Sequence, residues 1–134
     1  MANLSDDQLI SIAQQFHDLA VAVSQFRLEQ IHGGASLDDQ EIVQLLGLQY
    51  NLFNTSSSFY LQAAKITLVD ADQAAAQVMG ATKDATAAIK TLKVINKAIS
   101  IGSAVGVLAA AVMTGDMSQI GNAAKGVYTA INSQ

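Results

Sequence analysis

No proline occurs anywhere in the 134 residues of the chain. Proline ends helices because it lacks a backbone donor and its ring collides with the preceding turn. A chain without it can sustain long helices and must close them with glycine or side-chain caps. The spacing of apolar residues then decides where the helices lie.

Ser5 and Gln8 have the spacing of a capping box, and Leu9, Ile12, Phe16, Leu19, Val23 and Phe26 follow in alternating steps of three and four. This predicts an amphipathic helix over residues 6–32, ended by Gly33 and Gly34. Ser36 or Leu37 reopens a helix whose first turn holds Asp38, Asp39 and Glu41, where carboxylates complement the helix dipole. Ile42, Leu45, Leu46, Leu52, Phe53, Phe59, Tyr60 and Ile66 extend it to about residue 69. The polar run Asn54 to Ser58 competes for backbone hydrogen bonds, so this second helix either runs through or breaks in two there.

Asp70 and Gln73 repeat the capping spacing and open the longest periodic segment, residues 71–114. Val78, Ala81, Ala85, Ala88, Leu92, Ile95, Ile99, Gly102, Gly106, Ala109 and Met113 form a coiled-coil-like seam along it. Unbroken, this helix would be roughly 66 Å long at 1.5 Å per residue, so it either projects or bends near Ser100 to Gly106. Gly115 and Asp116 then make a tight turn into a last helix over 116–132, striped by Met117, Ile120, Ala124, Val127 and Ile131. The expected fold is all-α: one domain, an antiparallel bundle of about four long helices with a C-terminal apolar helical hairpin and no strand. With 51% hydrophobic but only 5% aromatic residues, its core must be built mainly from Ala, Val, Ile and Leu.

Several function classes have no residues to stand on. The chain has no cysteine, hence no disulfide and no thiolate metal site. Neither His17 nor His32 has a second histidine, Asp or Glu four residues on along its own helix face, and Asp38, Asp39 and Glu41 lack the spacing of a calcium loop. No phosphate-binding glycine loop and no serine elbow occur, so the expectation is no enzyme, no catalytic or metal residue, no cofactor and no small-molecule substrate. Nucleic acid is not an expected partner: the net charge is −4, and the basic part of the chain carries one aromatic residue, Tyr128. Up to Asp72 nine acids face Arg27 and Lys65, whereas five lysines face Asp84 and Asp116 afterwards, an asymmetry suited to pairing helices within one bundle. The start, MANLSDDQ, is acidic where a secretion signal is basic, so the expectation is a soluble protein, cytoplasmic or exported by a signal-less route.

Functional information concentrates in residues 98–115, which carry no charge. This run spans about 27 Å as a helix, against about 30 Å for a bilayer core. Ile99, Ile101, Val105, Val107, Leu108 and Val112 favour a bilayer by about 2 to 4 kcal/mol at most, and glycine and serine oppose them. Insertion is near break-even. Gly102 and Gly106 form a GxxxG ridge, flanked by Ala98 and Ala110, that permits close helix approach in lipid or in water. Lys83, Lys90, Lys93 and Lys97 lead into the run, either as a face for anionic headgroups or as the solvated outside of a coiled-coil helix. A helix apolar on every side must be covered on every side, by the chain's own helices, by copies of the chain or by lipid.

Long proline-free amphipathic helices and a near-C-terminal apolar hairpin, tipped by Gly115 and Asp116 and preceded by lysines, resemble the alpha-helical pore-forming toxins. The resemblance covers about residues 83–131 and rests on architecture and composition. It implies a soluble protein that oligomerises and inserts or docks its hairpin in a membrane through Ile99, Ile101, Gly102, Val105, Gly106, Val107, Leu108, Val112 and Met113. The alternative is a soluble structural or partner-binding bundle that self-assembles through the same small-residue helix. Either way a homo-oligomer is expected, with a lipid membrane or a helical protein as the further partner.

Overall fold

Ser5 and Gln8 close the first helix start reciprocally: the Gln8 amide donates to Ser5 Oγ at 3.1 Å and the Ser5 amide to Gln8 Oε1 at 2.9 Å. From there the computed structural model describes residues 2–36 and 38–133. It holds helices α1 (Asp6–His32), α2 (Gln40–Ala63), α3 (Ala71–Thr91), α4 (Ile95–Thr114) and α5 (Met117–Asn132), with two-residue strands β1 (Ala2–Asn3) and β2 (Thr67–Leu68). The chain is all-α, with five helices among the described residues in place of the expected four or so.

The second helix is shorter than expected at both ends. It starts at Gln40, because Asp39 caps it by accepting from the Glu41 amide at 3.0 Å. Leu37, expected to open it, lies outside the described residues. It ends at Ala63 and not near 69, because Thr67 and Leu68 leave to pair antiparallel with Asn3 and Ala2. Burial drives that exit, since Leu68 is wholly buried, and the Asn3 side-chain amide caps the orphan Ala64 carbonyl at 3.1 Å. No strand was anticipated here, because a two-residue ladder has no periodicity to detect. The Asn54–Ser58 run stays helical: Thr55, Ser57 and Ser58 donate back to the carbonyls of Asn51, Phe53 and Asn54. Ser56 instead reaches across to the Ala13 carbonyl of α1 at 2.9 Å.

The expected 71–114 rod breaks, and not near Gly102 but at Leu92–Val94, where Leu92 and Val94 adopt extended backbone. Thr91 Oγ1 donates to the Ala88 carbonyl and the Leu92 amide to that of Ile89, which finishes α3 without glycine or proline. A straight rod would leave the second half of its seam bare. Folding back buries Gly102 and Ala109 of that seam but leaves Ile95, Ile99, Gly106 and Met113 only half-buried; the phase buried almost completely is the neighbouring one, Ala98, Ile101, Val105, Leu108 and Val112. At about 1.5–3 kcal/mol for each larger side chain, that burial outweighs a few lost helical hydrogen bonds at about 1 kcal/mol each.

The helices pack as a bundle. α1 lies on α2 and α3; α4 lies on α2, α3 and α5; α5 closes against α3. Large side chains fill the α1–α2 contact, where the rings of Phe16 and Phe59 meet edge to face at 5.2 Å. The α3 core face is instead Ala71, Ala74, Ala75, Val78, Ala81 and Ala85, with Ile89 at its end.

Candidate functional site

Gly115, at φ 73°, takes the left-handed conformation that ends α4, and Asp116 opens α5 by accepting from the Ser118 and Gln119 amides at 2.9 and 3.4 Å. A Cβ on Gly115 would stand 2.9 Å from Ile66 Cγ2, so the α4–α5 turn is seated on the segment leading into β2. The turn makes α4 and α5 neighbours along their length.

The structure divides the nominated residues of α4 between two faces. Ile101, Gly102, Val105, Leu108 and Val112 are buried among the other helices; Ile99, Gly106 and Met113 are half-buried; Val107 is 61% exposed. The proposed Gly102–Gly106 ridge is therefore not one contact within the chain. A Cβ on Gly102 would lie 2.3 Å from Leu48 Cδ2, so α2 approaches α4 closely there, whereas a Cβ on Gly106 would meet nothing within 4 Å. The glycines differ because they sit about 40° apart on the helix, Gly102 just inside the margin of its buried stripe and Gly106 just beyond it.

The α4 face turned from the core consists of Ser100, Ser103, Val107, Ala110 and Thr114, all exposed and themselves spaced three, four, three, four. Beside it runs a groove of about 520 Å³ between α4 and α5, lined by Ala104, Val107, Ala110, Ala111, Thr114, Gln119, Asn122, Ala123 and Gly126. The lining carries no charged side chain. Of these the sequence singled out Val107 and, as a flank of the glycine ridge, Ala110; the others were missed because that reading followed only the more hydrophobic of two interleaved periodicities. The second phase was present as a row of small residues.

The lysines do not form one basic stripe. Lys83 and Lys90 are exposed on α3, Lys93 lies in the α3–α4 connection, and Lys97 on α4 donates to the Ser133 carbonyl at 2.6 Å. The helix break at Leu92–Val94 destroys the seven-residue register that placed Lys97 with the others. Elsewhere, a shallow hollow of about 430 Å³ between α1 and α2 is lined by Ile10, Ala13, Gln14, His17, Ser56 and Tyr60. There His17 packs its ring on Phe53 at 5.4 Å, and the hydrogen bond to Asp6 pushes the Tyr60 phenol pKa up. Among the described residues no three His, Asp or Glu side chains gather as a metal site.

The chain matches no protein-family model, no curated protein and no solved structure. Of its own surfaces, the α4–α5 face offers contact without a charged side chain.

Proposed function

We propose that this protein is a non-enzymatic, soluble helical bundle that works by protein contact through the outer face of its α4–α5 hairpin. The observation that carries this reading is the uncharged groove between α4 and α5, walled by alanine and glycine, with Val107 exposed at its edge. Small side chains lower the groove floor, so another helix can approach closely and gain dispersion along its length. The α4 apolarity is then divided between two tasks. Ala98, Ile101, Val105, Leu108 and Val112 hold the bundle, and Val107 with its small neighbours serves a partner.

Replacing Val107 by lysine tests this. The side chain is 61% exposed, so the fold should keep its helical circular dichroism and its stability within about 0.5 kcal/mol. Light scattering across a concentration series should show the wild type associating and Val107→Lys remaining at the 14.0 kDa of one chain. A wild type that is monomeric at every concentration and binds no helical partner would refute the reading.

A membrane-active role is the second reading. Its support is that α4 is a 20-residue helix of mean hydropathy 1.6 with only 44% of its most apolar window buried. Insertion would require the hairpin to leave α2 and α3 and its turn to leave Ile66 and Thr67. Leakage from dye-loaded anionic liposomes at neutral or acid pH is the expected sign. Absence of both leakage and liposome binding eliminates this role.

A further inference from the structure

We infer that the occupant of the α4–α5 face is a second copy of the same chain, its α4 running antiparallel to the first with the dyad at Val107. This deepens the contact reading above and rests on it. A two-fold interface is self-complementary: if residue i meets residue j of the copy, j must meet i. For an antiparallel helix pair centred on one residue, positions equally far before and after that residue face each other. About Val107 the outward face of α4, taken together with the groove wall made by half-buried Ala104 and buried Ala111, has this symmetry. Ser100 mirrors Thr114, hydroxyl to hydroxyl; Ser103 mirrors Ala111; Ala104 mirrors Ala110. Val107, the one large exposed side chain of the run, stands at the centre, where it meets its own copy above walls made of alanine.

Charge makes the same choice of direction. Between Lys97 and Asp116 α4 and its turn are uncharged, so one positive and one negative group bracket the face. The antiparallel arrangement brings position 98 opposite 116 and position 97 opposite 117, so each Lys97 approaches the Asp116 of the other copy, twice over. A parallel arrangement would set lysine beside lysine and aspartate beside aspartate, and would align the two helix dipoles unfavourably. Lys97 is held at its end of the face by the Ser133 carbonyl, and Asp116 at the other by the Ser118 and Gln119 amides it caps. Both charges are thus positioned before a partner arrives.

The natural chain has no cysteine, so single cysteines report contacts without background. A disulfide forms only when the two Cα atoms come within about 7 Å. Under mild oxidation Val107→Cys should link into covalent dimers, while Ser100→Cys should not, because two residues 100 would lie about 21 Å apart along the antiparallel pair. An equimolar mixture of Ser100→Cys and Thr114→Cys chains should form the mixed dimer and neither homodimer. Light scattering of the unmodified protein should show a doubling of the 14.0 kDa mass. If Ser100→Cys links as fast as Val107→Cys, the helices are parallel and the inference fails. If the wild type associates and Val107→Lys abolishes it, yet Val107→Cys does not link, the dyad is wrong while the contact face stands. If the wild type stays monomeric and Val107→Cys stays unlinked, both readings fall together.

Discussion

The α1–α2 contact and the α4–α5 contact solve the same packing problem with opposite materials. Between α1 and α2 the interior is aromatic and branched: Phe16 and Phe59 are wholly buried edge to face, with Ile12, Leu19, Leu45 and Leu52 equally hidden. Between α4 and α5 no aromatic ring is buried, and much of the interior is alanine: Ala98, Ala109, Ala111, Ala123 and Ala124. Large side chains interlock in one arrangement and fill the space they claim. Small ones bring helix axes together but leave little relief, so the outside of the pair stays smooth and can accept another helix. One contact is built to hold the chain together, and the other leaves a face over for something else.

That contrast breaks most severely at Phe16. Truncation to alanine empties a fully buried site against Phe59, with an expected loss of about 3–5 kcal/mol, read as a lower urea midpoint with unchanged slope. A loss below about 1 kcal/mol would mean the aromatic contact is no more binding than the alanine one.

The two glycines of α4 sharpen the comparison at intermediate size. Gly102→Leu must displace the Leu48 side chain, whose Cδ2 lies 2.3 Å from the position of the new Cβ, and should cost about 1–3 kcal/mol. Part of that cost should return when Leu48→Ala is added, since the obstacle is a side chain and not backbone. Gly106→Leu meets open space and should leave stability of the single chain unchanged or raised by up to about 1 kcal/mol, leucine being the better helix former. Equal effects at the two positions would restore the ridge as a single contact and contradict the division of α4 into two faces.

The legible parts of this fold were those set by neighbours in sequence. The capping box at Ser5 and Gln8, the caps at Asp70 and Asp116 and the glycine turn at Gly115 are local chemistry, and each appears in the structure. The illegible parts were made by distant groups. α2 stops at Ala63 because Leu68 finds a buried site beside residues at the far end of the chain, and no nearby residue announces it. The rod breaks at Leu92–Val94 because α2, α3 and α5 are there to cover α4, although the apolar seam runs through the break without a fault. The outer face of α4 was half legible: Val107 stood out by its hydrophobicity and Ala110 as a flank of the glycine ridge, while Ser100, Ser103, Ala104, Ala111 and Thr114 passed as filler. Burial separates the two phases of that helix, and spacing alone does not.

Each side of the comparison also has one phenol tied to a carboxylate of a neighbouring helix, and these ties give the smallest effect. On the first side the Asp6 carboxylate of α1 acts on the Tyr60 phenol of α2; on the second Tyr128 of α5 donates to Asp84 of α3 at 2.9 Å. Both phenols have their pKa raised, first by the hydrogen bond to the carboxylate, which needs the phenol protonated. A group whose pKa is higher folded than unfolded adds stability that is complete below the unfolded value, about 10 for tyrosine, and disappears as pH rises through the folded one. Stability should therefore be flat on this account through neutral pH and fall above about pH 10. Tyr128 is 39% exposed, so solvent screening holds its share to under about 1 kcal/mol. Tyr128→Phe should lower stability slightly at pH 7 and flatten the alkaline fall, and the double variant with Tyr60→Phe should flatten it further. If Tyr128→Phe leaves the alkaline slope unchanged, α5 is held in the bundle by its buried apolar residues alone, and the hairpin is freer of the bundle than the α1–α2 pair is of its own.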